Sequence, residues 1–215
     1  MLTLPVAGTA DANPSARILA IGRSPTVLSE LVTILRARGY AAGATNEFDR
    51  VLDLFDVGRL DLVIFGGAVP PDTREHLQEE ISARSRRVVF VRGHAGIAGL
   101  VAAQVEEALG GDTTAQVAYG PRSIRVSLDA PRGVTVSAWW HTSIVPPEPE
   151  STSRVILDGL LAAGDHTIAI PDDVPALASF VTVSVGSAVH TFVLGPVPGG
   201  TTPVSPRPST PAPRA

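Results

Sequence analysis

The sequence predicts two units of different class, an α/β unit followed by an all-β unit. Three observations carry that division. Short apolar runs alternate with amphipathic helical segments from Arg17 to about Leu109. Helical spacing then stops, and short β-branched runs separated by turn residues take over after Gly111. The two ends, residues 1–16 and 196–215, are small, polar and proline-containing, and match neither pattern.

The first half begins with RILAIG at residues 17–22, an apolar run that predicts a buried strand. Ser24-Pro25 is a helix start, with Ser as N-cap and Pro in the first turn. Val27, Leu28, Leu31, Val32, Ile34 and Leu35 then recur at helical spacing until Gly39. Residues 40–45 predict a second strand. Asn46 is placed to cap a helix over 48–57, stopped by Gly58. LDLVIFGGAVP (60–70) predicts the central strand, over 61–65, running straight into Gly66 and Gly67. A helix capped by Asp72, a fourth strand at RVVFV (87–91) and a helix over 97–109 complete the unit. Such alternation builds a parallel sheet with helices on both faces and right-handed crossovers.

In the second half, candidate strands fall at 115–119, 123–129, 133–141, 153–158, 165–170, 180–185 and 188–194. Seven short strands in so few residues predict a β-sandwich. Residues 114–119 could belong to either unit, and the composition favours the second. Gly186-Ser187 suits a two-residue hairpin of type II′. That hairpin places Val185 opposite Ala188, Val183 opposite His190 and Val181 opposite Phe192. Along 133–141 the alternation puts Trp140 on the core face and Trp139 with His141 on the outer face. Trp139 and His141 are therefore candidate interface residues for a partner protein; the alternative is that Trp139 packs on the neighbouring α/β unit or under the proline-rich loop 146–149.

Composition excludes several chemistries. The 215 residues contain no cysteine, so thiolate nucleophiles, disulfides and Cys-ligated metals are out. All 17 basic residues are arginine, which removes Schiff-base and phosphate-loop lysines. A net charge of −4 argues against general nucleic-acid binding. No run approaches the roughly 20 apolar residues of a membrane span. The start lacks a basic, apolar leader, and a cytoplasmic location is expected. The five histidines (76, 94, 141, 166 and 190) show no metal-ligand spacing, and no G-x-S-x-G elbow occurs. Neither metal nor cofactor is expected.

RILAIG-RSP-TVLSELVTILRARGY, DLVIFGGAVP and RRVVFVRG together resemble a response-regulator receiver domain over residues 17–109. The resemblance implies a flavodoxin-like parallel sheet, and residues 113–195 resemble an immunoglobulin-like or fibronectin type III-like sandwich. The expected organisation is a flexible arm (1–16), a receiver-like unit (17–111), a sandwich (113–195) and a disordered tail (196–215). In receivers the strand ends carry acidic magnesium ligands and a phosphoacceptor Asp. Here Gly22-Arg23, Gly66 and Arg92 stand at the matching positions, so the resemblance implies a pseudo-receiver without phosphotransfer. The expectation is a non-enzymatic adaptor acting through a protein partner, with a homodimer compatible. The alternative is a sensor for an anionic ligand, phosphate or nucleotide, held at Arg23, Ser24, Arg92 and His94. A flavodoxin-like or Rossmann-like enzyme is the third and least supported reading, since no dinucleotide fingerprint is present.

Overall fold

The computed structural model describes residues 1–6, 16–110, 115–143 and 150–195. Its first sheet has the order β1-β3-β2-β4-β5, formed by Thr3–Leu4 (β1), Arg17–Ile21 (β2), Ala41–Thr45 (β3), Leu62–Phe65 (β4) and Val89–Arg92 (β5). β3, β2, β4 and β5 run parallel; β1 joins β3 antiparallel, with Thr3 opposite Thr45. Four helices accompany them: α1 (Pro25–Ala37), α2 (Val51–Leu54), α3 (Pro71–Arg84) and α4 (Ala98–Leu109).

Alternation along the strands divides the core between the two faces. Ile18, Ala20, Leu62 and Ile64 point to one side and are covered by Leu28, Leu31 and Leu35 of α1 and by Val101 and Val105 of α4. Leu19, Ile21, Val63 and Phe65 point to the other, against Val51, Phe55, Leu77 and Ile81 of the α2–α3 side. α3 buries only Leu77 and Ile81 and turns the rest of a highly charged surface to water. α4 is buried continuously from Ala98 to Val105, as expected of a helix that is apolar all round.

Seven further strands form two antiparallel sheets. Gln116–Gly120 (β6), Ser123–Leu128 (β7) and Gly164–Ala169 (β10) make a three-stranded sheet in the order β10-β7-β6. Arg132–Ser143 (β8), Glu150–Leu161 (β9), Ser179–Val185 (β11) and Ala188–Leu194 (β12) make a four-stranded one, β12-β11-β8-β9. Ile124, Val126 and Leu128 of the first meet Val134, Val136, Val181 and Val183 of the second in a shared core. The opposite face of the four-stranded sheet receives α4. Ile97 and Leu100 pack there on Phe180, Trp139 and Val193. Glu107 accepts hydrogen bonds from the Thr191 amide (3.1 Å) and hydroxyl (2.5 Å).

The expected fold class, a flavodoxin-like parallel sheet followed by an Ig/FN3-like sandwich, is corrected by this arrangement. Antiparallel pairing dominates: two sheets are wholly antiparallel and the first is mixed. The first sheet is mixed because residues from the expected loose arm pair with β3. Gly43 permits that pairing, since a Cβ there would sit 2.7 Å from the Leu4 carbonyl and from Val6. The two units are also not separate, because α4 is part of the first unit's core and packs on the outer face of the four-stranded sheet.

Smaller departures have local causes. The helix expected over 48–57 is broken into a 3₁₀ turn at Phe48–Arg50, the single turn of α2 and a second 3₁₀ turn at Val57–Arg59. Phe55 is extended (φ −127°, ψ 139°) and inserts its ring into the core, which ends the helix there. α3 is preceded by Pro70 and starts at Pro71, with Asp72 in its first turn instead of at the cap. The strand expected at 153–158 is twelve residues long, with a register shift where Ile156 is left without a partner opposite Val136/Ser137. Gln116–Gly120 pairs with β7, in the second unit. Residues 7–15 of the expected arm, residues 111–114 at the expected boundary between units, residues 144–149 and the expected tail 196–215 lie outside the described residues.

Candidate functional site

The sheet order fixes where a ligand would sit. From β2 the chain crosses through α1 to β3 on one side, then returns past β2 to β4 on the other. A crevice therefore opens outside the carboxyl ends of β2 and β4, the switch point of a parallel sheet. A cavity of about 320 Å³ occupies it. Gly22, Arg23 and Ser24 line it from the end of β2, and Gly66, Gly67 and Ala68 from the end of β4. Val27, Leu28 and Leu31 of α1, Ile64 of β4 and Val101 of α4 make the apolar floor. Gly93, Ala95 and Gly96, beyond β5, close the third side.

Of the four residues expected to hold an anion, two reach this crevice. Ser24 has extended backbone (φ −79°, ψ 114°), and its hydroxyl accepts from the Val27 amide at 3.3 Å, so it is committed to capping α1. The Arg23 Nε donates to the Ala68 carbonyl at 2.9 Å, and the guanidinium lies 5.8 Å from the centre of the Phe48 ring. Its Nη groups have no hydrogen bond or ion pair among the described residues. Arg23 also borders a shallower polar hollow with Asn46, Glu47, Phe48, Asp49 and Arg50.

Arg92 and His94 do not line the crevice. The Arg92 carbonyl accepts from Gln104 Nε2 (3.3 Å), while the His94 amide donates to Gln104 Oε1 (2.9 Å). This pair of bonds turns the chain after β5 toward the sandwich. The His94 ring stacks on Phe180, with centroids 6.0 Å apart. Burial, and secondarily the Arg92 charge, holds its pKa below the ordinary 6.5; Glu107 pulls weakly the other way. His94 is thus a neutral packing group between the units.

Trp139 and His141, the expected interface residues, both face the α/β unit. The Trp139 indole lies so close to α4 that a Cβ on Gly99 would sit 2.3 Å from its Cζ3. Its Nε1 donates to the Thr182 hydroxyl at 3.0 Å. Trp140 packs on the opposite face, at the edge of the sandwich core. His141 Nε2 lies 2.7 Å from the Ala95 carbonyl and Nδ1 lies 3.3 Å from that of Glu150. A carbonyl only accepts, so the shorter contact assigns the proton of a neutral ring to Nε2. His141 thereby braces the loop 93–97, where Ala95 (φ 56°) and Gly96 (φ 64°) are left-handed. That loop is a wall of the crevice, so the sandwich helps to shape the site.

Sequence pattern does not single out the residues that build the floor. Leu28, Leu31, Ile64 and Val101 belong to regular apolar stripes, and nothing local separates a cavity wall from core. The glycines at both strand ends are the signal the sequence does carry: two adjacent chain reversals without side chains leave space between them. Among the described residues, no group of three or more histidines, aspartates and glutamates could hold a metal ion. No helix of the described residues is long and apolar enough to cross a membrane.

No protein-family model and no curated protein matches the chain. Among solved structures, it is similar to a β-glucosidase from Listeria innocua. In complex with gluconolactone that structure is 13% identical, with a TM-score of 0.31; in complex with glucose it is 12% identical, with a TM-score of 0.32. The alignments cover 91% of this chain and 48% of the glucosidase, so the chain spans about half the length of that protein. Likeness at this level fixes neither fold nor activity.

Proposed function

We propose that the chain is a non-enzymatic regulatory module that works by binding, through the crevice at the ends of β2 and β4. The observation that carries this reading is the lining of the crevice. Apart from Arg23 at the rim and Ser24, whose hydroxyl caps α1, its walls are glycine, alanine and aliphatic side chains, and no carboxylate or imidazole is among them. General acid–base or nucleophilic catalysis needs such a group within hydrogen-bond reach of the reacting atom. The Gly66 amide, at the position where receivers carry their phosphoacceptor, is engaged with the Ile21 carbonyl at 2.8 Å. Incubation of the full chain with acetyl phosphate and magnesium tests the reading. Intact-mass and peptide analysis should show no phosphoryl adduct; an aspartyl phosphate would overturn it.

The expected role in protein–protein contact has separate support. Among the described residues β9 is an edge strand twelve residues long, and Val155 (60% exposed) and Leu160 (76% exposed) stand on it. An open edge with apolar side chains suits strand addition by a second chain. Light scattering across a concentration series, with and without Leu160→Lys, tests this. A monomer at every concentration, unchanged by the substitution, removes self-pairing through β9.

A further inference from the structure

Resting on the binding reading, we infer that the crevice takes a small monocarboxylate with an apolar body: an aryl or medium-chain acyl acid of about ten non-hydrogen atoms. Three features point to that class.

The first is size. At roughly 30 Å³ for each water-sized group, a cavity of about 320 Å³ holds about ten of them. This is the lower end of the usual range for ligand pockets, about 300–1,000 Å³. The second is polarity. Leu28, Leu31, Ile64 and Val101 form a floor without polar side-chain atoms. A ligand there is held by exclusion from water, and a bare inorganic anion would be stripped of hydration without replacement.

The third is Arg23 at the rim. Its Nε donates to the Ala68 carbonyl and its Cζ lies 5.8 Å from the centre of the Phe48 ring, while the two Nη groups have no hydrogen bond or ion pair among the described residues. A planar fork matches a carboxylate in bidentate fashion. Glu47, Asp49 and Arg50 border the hollow that shares Arg23, and Arg50 pairs with Glu47 at 3.1 Å, so Asp49 is the anion left to oppose a second negative charge on the ligand. The mouth of the crevice thus combines the Arg23 guanidinium with an apolar pit. A neutral apolar molecule would leave the fork unused; a phosphate would leave the pit empty.

The test is an amide chemical-shift titration of the full chain with phenylacetate, octanoate, phenylacetamide and inorganic phosphate. Phenylacetate and octanoate should move Gly22, Arg23, Gly66, Gly67 and Gly96, with Kd on the order of 0.1–1 mM. Phenylacetamide, the neutral isostere, should bind about tenfold more weakly, and phosphate should neither bind there nor compete. Arg23→Ala should weaken phenylacetate about tenfold and leave phenylacetamide unchanged. Val27→Phe, which fills the crevice from its partly exposed rim, should abolish both. Gly67→Leu does the same from the opposite wall, where a Cβ meets nothing within 4 Å; thermal melts of the variants confirm folding. Equal binding of acid and amide, competition by phosphate, or shifts confined to other surfaces would overturn the assignment. If phenylacetamide or other neutral molecules move these amides while the carboxylates do not, the ligand class falls and the binding reading stands. An aspartyl phosphate overturns the binding reading instead.

Discussion

Gly99→Ala is a small perturbation whose sign depends on a single neighbour. Gly99 lies in the first turn of α4, and a methyl group there would overlap the Trp139 indole at 2.3 Å from Cζ3 and 2.4 Å from Cη2. Overpacking of this kind costs about 1–3 kcal/mol. Against it, replacing Gly by Ala within a helix gains about 1 kcal/mol. The net for Gly99→Ala in the natural chain is thus a loss of up to about 2 kcal/mol. The Trp139 ring cannot move away freely, because its Nε1 is bonded to Thr182 and it lies among Ile97, Leu100, Phe180 and Val193. In a Trp139→Ala background the overlap is gone, and Gly99→Ala should stabilise by about 1 kcal/mol. Urea unfolding followed by circular dichroism on all four proteins closes the double-mutant cycle. The coupling energy should be about 1–3 kcal/mol. Equal effects of Gly99→Ala in both backgrounds would refute the claim that the indole and the helix are in enforced contact.

Three other outcomes follow from described contacts. Ala95 is left-handed (φ 56°), and Ala95→Gly should stabilise by about 0.5–1 kcal/mol; a fall in melting temperature would show that the conformational freedom of glycine costs more than the backbone strain it relieves. Arg122 Nη2 donates to the carbonyls of Ile170 (3.5 Å), Pro171 and Val174 (3.1 Å). Arg122→Ala should therefore cost about 2–4 kcal/mol and lower the melting point by roughly 5–10 °C; a drop under about 2 °C would mean that water replaces the guanidinium. His94 has a folded pKa below 6.5, so the unfolded chain binds its proton more readily. Its contribution is complete above the unfolded value and is lost as pH falls through 6.5 toward the folded one. Denaturant midpoints measured from pH 7.5 to 5 should fall with acid, and less steeply for His94→Phe; parallel slopes would assign the acid sensitivity elsewhere.

Features dictated by neighbours along the chain are legible in the sequence. The Ser24-Pro25 start of α1 is present as expected, with the serine hydroxyl on the Val27 amide. The hairpin register holds too, Val183 opposite His190 and Val181 opposite Phe192, because a two-residue turn leaves no freedom of pairing. Trp140 and Trp139 divide between the faces of β8, because side-chain alternation is a property of any strand.

What is not legible depends on contacts far apart in the chain. β1 pairs with β3 through the space that Gly43 leaves, and nothing in Thr3-Leu4 announces it. Arg23, Ser24, Arg92 and His94 all lie at or just beyond the carboxyl ends of strands of one sheet, a placement that suggests a shared site. The Gln104 bridge turns the segment after β5 toward Phe180, so only the first two reach the crevice. The unbroken burial of α4 has a visible trace in AGLVAAQV (98–105), apolar at every position but Gln104. A helix covering a single sheet has no use for such a pattern.

That last helix has a consequence for anyone cutting the chain. The change in composition near Gly111 invites two separate fragments, yet the seam in composition is not a seam in stability. A fragment ending at Gly110 would carry Ile97 and Leu100 uncovered, and one beginning at Ala115 would carry Phe180, Trp139 and Val193 uncovered. Each piece would bear a raw oily scar, matched only by the other, and the two should be sticky alone and soluble together.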